Sequence, residues 1–108
     1  MDFKQQYESL YQKLKKELPL KAHPVRELLP VFKDKGIPVT SKTELTIIDV
    51  FNSGDISGIV CVVSNDKENV IACPLTHLMF SPGFHLYKEI TEYQWKREKR
   101  IRKLMSRN

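Results

Sequence analysis

The chain has 108 residues, 41% of them hydrophobic and 29% charged, which is enough for one folded domain and too few for two. Four glycines and six prolines exclude a fibrous or wholly disordered protein, and the net charge of +5 favours partners that carry negative charge. No apolar run approaches the roughly 20 residues that cross a bilayer, and the first residues lack the pattern of a secretory signal, so we expect a cytoplasmic protein.

The first third of the chain predicts two helical segments. Apolar side chains from Phe3 to Leu18 recur three and four residues apart, which is typical of one face of an amphipathic helix that ends before Pro19. A second helical segment is predicted to start at Pro24. Pro30 lies inside that segment and lacks a backbone donor, so we expect it to kink the helix or to divide it into two short ones.

The middle of the chain predicts three strands of an antiparallel meander. They cover residues 44–51, 58–64 and 69–80, which are rich in Val, Ile and Thr. The second strand shows no polar alternation, so we expect it to be central and covered on both faces. Pro74 places the third strand at an edge or at a bulge. Asp55, in the turn before the second strand, is explained by turn preference alone.

The helical period returns after Gly83 and predicts a long C-terminal helix with an apolar stripe from Leu86 to Met105. The predicted fold is therefore α+β and forms a single domain over 1–108. A three-stranded antiparallel meander is flanked by the N-terminal helix, the proline-kinked segment and the basic C-terminal helix, whose final part, 96–108, is free to project.

Positive charge is concentrated at the C-terminal end of the chain. Residues 96–108 carry seven basic side chains and one acidic side chain, whereas the remainder carries eleven basic and twelve acidic ones. Such a separation creates a local positive field that attracts nucleic acid, an acidic protein surface or anionic lipid. The pattern does not distinguish between these partners.

An aromatic side chain lies among these charges. On a helical wheel Trp95 falls opposite Leu86, on the polar side of the C-terminal helix. An exposed indole among cations can stack on a base or enter a groove on a protein, and the alternative is that Trp95 packs on the N-terminal helix. The predicted partner-binding residues are Trp95, Lys88, Lys96, Lys99, Arg100, Arg102 and Lys103.

Two cysteines and two histidines form the other notable group. If the hairpin turns symmetrically about Lys67, Cys61 and Cys73 face each other across neighbouring strands. Together with His77 and His85 they could bind zinc, but no paired CxxC motif supports such a site. A cross-strand disulfide is the second alternative. Two reduced core thiols are the third, and we expect these.

Catalytic motifs and glycine-rich phosphate-binding loops are absent from the sequence. We therefore expect a non-catalytic binding module without a cofactor. The alternatives are a small metal-assisted or hydrolytic enzyme that uses His77, His85 and Cys73, and a homodimeric structural protein that pairs through open sheet edges.

Overall fold

A computed structural model describes residues 3–65 and 69–105 and shows an α+β fold. Its helices are α1 (Phe3–Lys16), α2 (Leu29–Asp34), α3 (Gly54–Ser57) and α4 (Tyr87–Met105). Its strands are β1 (Leu20–Pro24), β2 (Leu45–Asn52), β3 (Ile59–Ser64), β4 (Val70–Pro74) and β5 (Leu78–Met79). Two 3₁₀ turns, at Arg26–Leu28 and Leu75–His77, connect these elements. Residues 1–2, 66–68 and 106–108 lie outside the described residues, and the predicted symmetric turn about Lys67 falls among them.

The strands form one antiparallel sheet of five strands in the order β4-β3-β2-β1-β5, so the three-strand prediction is an undercount. β1 lies in a segment without β-branched residues, and it becomes a strand because it pairs with β2, with Leu20 opposite Ile47. The third predicted strand is interrupted at Pro74, which ends β4. After a 3₁₀ turn the chain forms β5, which pairs with the end of β1.

The positions of β3 and β4 agree in part with the sequence pattern. β3 lies between β2 and β4, and β4 is an edge strand, as Pro74 predicts. β3 buries only one face fully, through Ile59, Cys61 and Val63. Its alternate residues are half-buried, so the expectation that both faces are covered is wrong.

The helical predictions need one correction. α1 occupies the predicted N-terminal segment, but Pro24 belongs to β1 and does not start a helix. The second segment is divided into a 3₁₀ turn and α2, and Pro30 lies in the first turn of α2. The division at this proline is therefore confirmed, because the missing donor is harmless at a helix start.

A single apolar core lies between one face of the sheet and helices α1 and α4. Leu10 and Leu14 of α1 and Ile90 of α4 are buried in it. The two helices meet where the rings of Tyr7 and Tyr93 pack edge to face, with centroids 4.9 Å apart. Among the described residues, none of the helices has the length and apolar character needed to cross a membrane.

Candidate binding surface on the C-terminal helix

The burial of α4 changes along its length. Leu86, just before the helix, and Ile90 and Tyr93 within it are buried, as the predicted stripe requires. Further along the stripe Ile101 is only half-buried, and Leu104 and Met105 are exposed. The core therefore covers the stripe in the first half of α4 and leaves it partly uncovered in the last two turns.

Hydrogen bonds fix the rotation of α4 about its own axis. The Gln94 side-chain amide donates to the carbonyl oxygens of Leu75 at 2.9 Å and Leu78 at 2.7 Å. The hydroxyl oxygen of Tyr93 accepts a hydrogen bond of 2.8 Å from the backbone N–H of Ile59. Burial raises the pKa of Tyr93 to about 12, so this hydroxyl stays protonated at neutral pH.

Two arginines of α4 are bound to α3. Arg97 is only 4% exposed, and it donates to the Asp55 carboxylate at 3.3 Å and to the Ile56 carbonyl at 3.1 Å. Arg100 donates to both oxygens of the same carboxylate, at 3.4 Å and 3.0 Å. The hydrogen bond from Arg100 holds the pKa of Asp55 below its usual value. We call these three side chains the arginine–aspartate clamp.

The clamp gives Asp55 a function that turn preference does not explain. Sequence reasoning missed it because Asp55 and Arg97 are 42 positions apart. One signal was present, since Arg97 falls four residues after Tyr93 and four before Ile101, within the apolar stripe. A buried arginine at such a position requires an anionic or carbonyl partner, although the sequence does not identify which one.

Gly58 permits this close approach. Its φ of 64° and ψ of −143° lie in a region that only glycine adopts readily. A Cβ atom there would collide with the Tyr93 hydroxyl and would lie 2.9 Å from Nε of Arg97. The chain therefore needs a glycine at the point where α3 turns into β3 beneath α4.

The resulting rotation of α4 points Trp95 toward solvent. Its side chain is 57% exposed, so the alternative in which the indole packs away on the N-terminal helix is wrong. The Nζ atom of Lys99 lies 4.8 Å from the centroid of the indole ring, within cation–π range. The indole thus lies in a positively charged surrounding on an ordered helix.

Five of the six predicted cations share this outward side. We define the cationic face of α4 as Trp95 together with the exposed residues Lys88, Lys96, Lys99, Arg102 and Lys103. One of them, Lys96, forms an ion pair of 2.9 Å with Glu92, one turn earlier. The structure places Arg100 elsewhere, in the arginine–aspartate clamp.

The cysteines and histidines do not assemble into a site. Cys61 and Cys73 are opposite each other across β3 and β4, as predicted, and both are free thiols in the core. Burial raises the pKa of both thiols, that of Cys73 to about 12, which keeps both thiols protonated. His85 instead contacts Glu17 at 2.8 Å. In the described part of the chain, His77 and these residues form no group of three or more metal-ligating side chains.

No protein-family model, curated protein or solved structure matches this chain. The inference of function consequently starts from the cationic face of α4.

Proposed function

We propose that this protein is a binding module whose cationic face engages a negatively charged macromolecule. One observation supports this most directly. A solvent-exposed indole, Trp95, lies among five exposed lysine and arginine side chains on a helix whose rotation is fixed. Tryptophan is highly buried on average in folded proteins, and it is enriched among the residues that dominate binding energy at interfaces.

The chemistry of the face suits an anionic partner. Lys99 and Arg102 can contact phosphates or carboxylates, while Trp95 offers a flat surface for a base or for an apolar side chain. Lys99 covers part of the indole in the unbound protein. We expect this lysine to move to an anionic group when a partner stacks on the ring.

The anchoring of α4 also favours binding. Gln94 and the arginine–aspartate clamp hold the helix before any partner arrives. A preordered surface loses less conformational entropy on association than a mobile segment does. The cationic face should therefore bind without a folding step.

The alternative of an enzyme based on Cys73, His77 and His85 has less support. The Cys73 thiol is buried and protonated, and His85 is paired with Glu17, so neither is arranged as nucleophile and base. Homodimerisation through open sheet edges stays a prediction.

The fluorescence of Trp95, the single tryptophan of the chain, tests the proposal. We expect titration with a single-stranded oligonucleotide or a polyglutamate peptide at low salt to change the emission, and added salt to weaken the binding. The double variant Lys99→Glu/Arg102→Glu should bind at least about tenfold more weakly, because phosphate or carboxylate contacts become repulsive.

A matched control has the same change in net charge elsewhere on the surface. The double variant Lys33→Glu/Lys42→Glu alters two exposed lysines outside α4 and should reduce binding much less. Equal weakening in both double variants, or no binding of either probe to the original protein, would contradict the proposal.

A further inference from the structure

Beside the cationic face, the end of α4 carries exposed apolar side chains. Leu104 is 39% exposed and Met105 is 77% exposed, and Ile56 on the neighbouring helix α3 is 91% exposed. We define the apolar end patch as Ile56, Ile101, Leu104 and Met105. Single exposed apolar residues are ordinary on protein surfaces, but a contiguous group of them marks an interaction site.

Several contacts show that Ile56 and the end of α4 belong to one surface. Ile56 and Ile101 line the same cavity of about 210 Å³. Arg97 contacts the Ile56 carbonyl and Arg100 contacts Asp55, so this side of α4 faces α3. Leu104 follows Arg100 by four residues and therefore lies on the same side of the helix, one turn further along.

The patch is held in a defined geometry. α3 is a single helical turn, and Asp55 within it is bound by two arginines. The exposed Ile56 side chain is therefore presented by a fixed turn and not by an unattached loop. Covering a fixed, solvent-exposed aliphatic side chain with a partner is favourable, because apolar surface is removed from water and little conformational entropy is lost.

The charges around the patch indicate which partner covers it. Arg102 and Lys103 are exposed on the same two turns of α4, and Arg100 on these turns is paired with Asp55. A second copy of this chain would bring the same cations together, which is unfavourable. Nucleic acid would satisfy the cations, but its contacts are made chiefly through phosphates and base edges and would leave these aliphatic side chains uncovered.

We propose that the apolar end patch docks an acidic amphipathic helix of a partner protein. This inference rests on the proposed function and specifies the partner as a protein. Apolar side chains of the partner, spaced three or four residues apart, would pack on Ile56 and Leu104. Aspartate and glutamate residues beside them would pair with Arg102 and Lys103. One apolar anchor would enter the cavity between Ile56 and Ile101, whose rim includes Pro74.

Selection from a random peptide-display library provides the probe. We expect the enriched peptides to combine acidic residues with apolar residues three or four positions apart. With a synthetic copy of one enriched peptide, the methyl resonances of Ile56 and Ile101 should shift, while that of Ile48 on β2 should not. Ile48 is also an exposed isoleucine, so it controls for unspecific contacts.

Substitutions that do not change the charge then distinguish the contribution of apolar contacts to binding from the contribution of charge. Ile56→Ser and Leu104→Ser should each weaken peptide binding by about tenfold or more, because an aliphatic contact is lost. Val31→Ser, an exposed position on α2, should leave binding unchanged. Both patch residues are exposed, so we expect the variants to fold, and their amide spectra check this.

The outcomes distinguish the inference from the proposed function. If Lys99→Glu/Arg102→Glu weakens binding of the oligonucleotide or the peptide but the two serine variants do not, the inference is overturned and the proposed function stands. If the Ile56 methyl shifts with protein concentration alone, a second copy covers the patch and the inference is wrong. If no probe binds in a way that depends on the cationic face, both fail.

Discussion

The two halves of α4 differ both in charge and in how far the core covers them. In the half up to Arg97, apolar residues are buried and Glu89 forms a 2.8 Å ion pair with Lys13 of α1. In the half after Arg97, the side chains of Lys99, Arg102 and Lys103 are exposed and the apolar stripe loses its cover. Because α4 is one continuous helix, the packing of its first half also determines which side chains of its second half point toward solvent.

The comparison shows why a count of charges does not define a binding surface. Lys99 and Arg100 are adjacent in sequence, but Lys99 lies against the exposed indole whereas Arg100 is bound to Asp55. Successive helical residues are separated by about 100° around the axis, so neighbours in sequence face different surroundings. The availability of a cation thus depends on the rotation of the helix.

The largest expected effect comes from filling the space at Gly58, where the first half of α4 packs against the start of β3. Gly58→Ala should lower the free energy of unfolding by about 3 kcal/mol, because alanine is strained at this backbone conformation and its Cβ meets Tyr93 and Arg97. Urea unfolding measures the loss. Gly36→Ala is the matched control, since Gly36 also has a positive φ, of 73°, but has open space around it. An equal loss in the two variants would show that the close contact is unimportant.

A smaller effect distinguishes clamped from exposed cations. Arg97→Ala should cost about 2 to 3 kcal/mol of stability, because its buried contacts to Asp55 and to the Ile56 carbonyl are lost. Lys99→Ala should change stability by less than about 0.5 kcal/mol, since its side chain is exposed. Urea unfolding again measures both losses of stability. Similar losses at Arg97 and Lys99 would contradict the distinction between clamped and exposed cations.

The smallest expected effect is the pH dependence of the clamp. Hydrogen bonding from Arg100 lowers the pKa of Asp55 in the folded protein, so the clamp stabilises the fold above the ordinary pKa of aspartate and loses this contribution as the pH falls. Melting temperatures should show Asp55→Asn to be less stable than the original protein at pH 7, with a difference that narrows below about pH 4.

Asp34→Asn controls for the removal of one carboxylate, because Asp34 is exposed at the end of α2. A stability difference for Asp55→Asn that is constant over this pH range would mean that the Asp55 carboxylate does not stabilise the fold through its charge.

Elements with strong periodicity were predicted well, and elements that depend on distant pairing were not. The apolar spacing of α1 and α4 and the β-branched residues of β2, β3 and β4 identified these elements. β1 was missed because its residues have little strand propensity and pair only when β2 is in place. The alignment of Cys61 with Cys73 was predictable because a hairpin determines its own register.

The same distinction applies to the candidate site. The predicted exposure of Trp95 follows from helical periodicity, since the indole falls opposite the apolar stripe. The assignment of Arg100 to the partner-binding group did not anticipate its contact with Asp55, which lies 45 positions away in sequence. The approach of Ile56 to the end of α4 was equally unavailable from sequence, because Ile56 and Ile101 line one cavity only when α3 packs against α4.

By itself, the sequence determined helices α1 and α4, strands β2, β3 and β4, the pairing of Cys61 opposite Cys73 and the concentration of positive charge at one end, because each depends on neighbouring residues or on the register of one hairpin. Tertiary structure alone decided which arginines are neutralised, which cations remain exposed and where the apolar stripe loses its cover. These features depend on how α3, α4 and the sheet pack together. That packing brings together residues that are far apart in the sequence, so no local sequence pattern predicts their contacts.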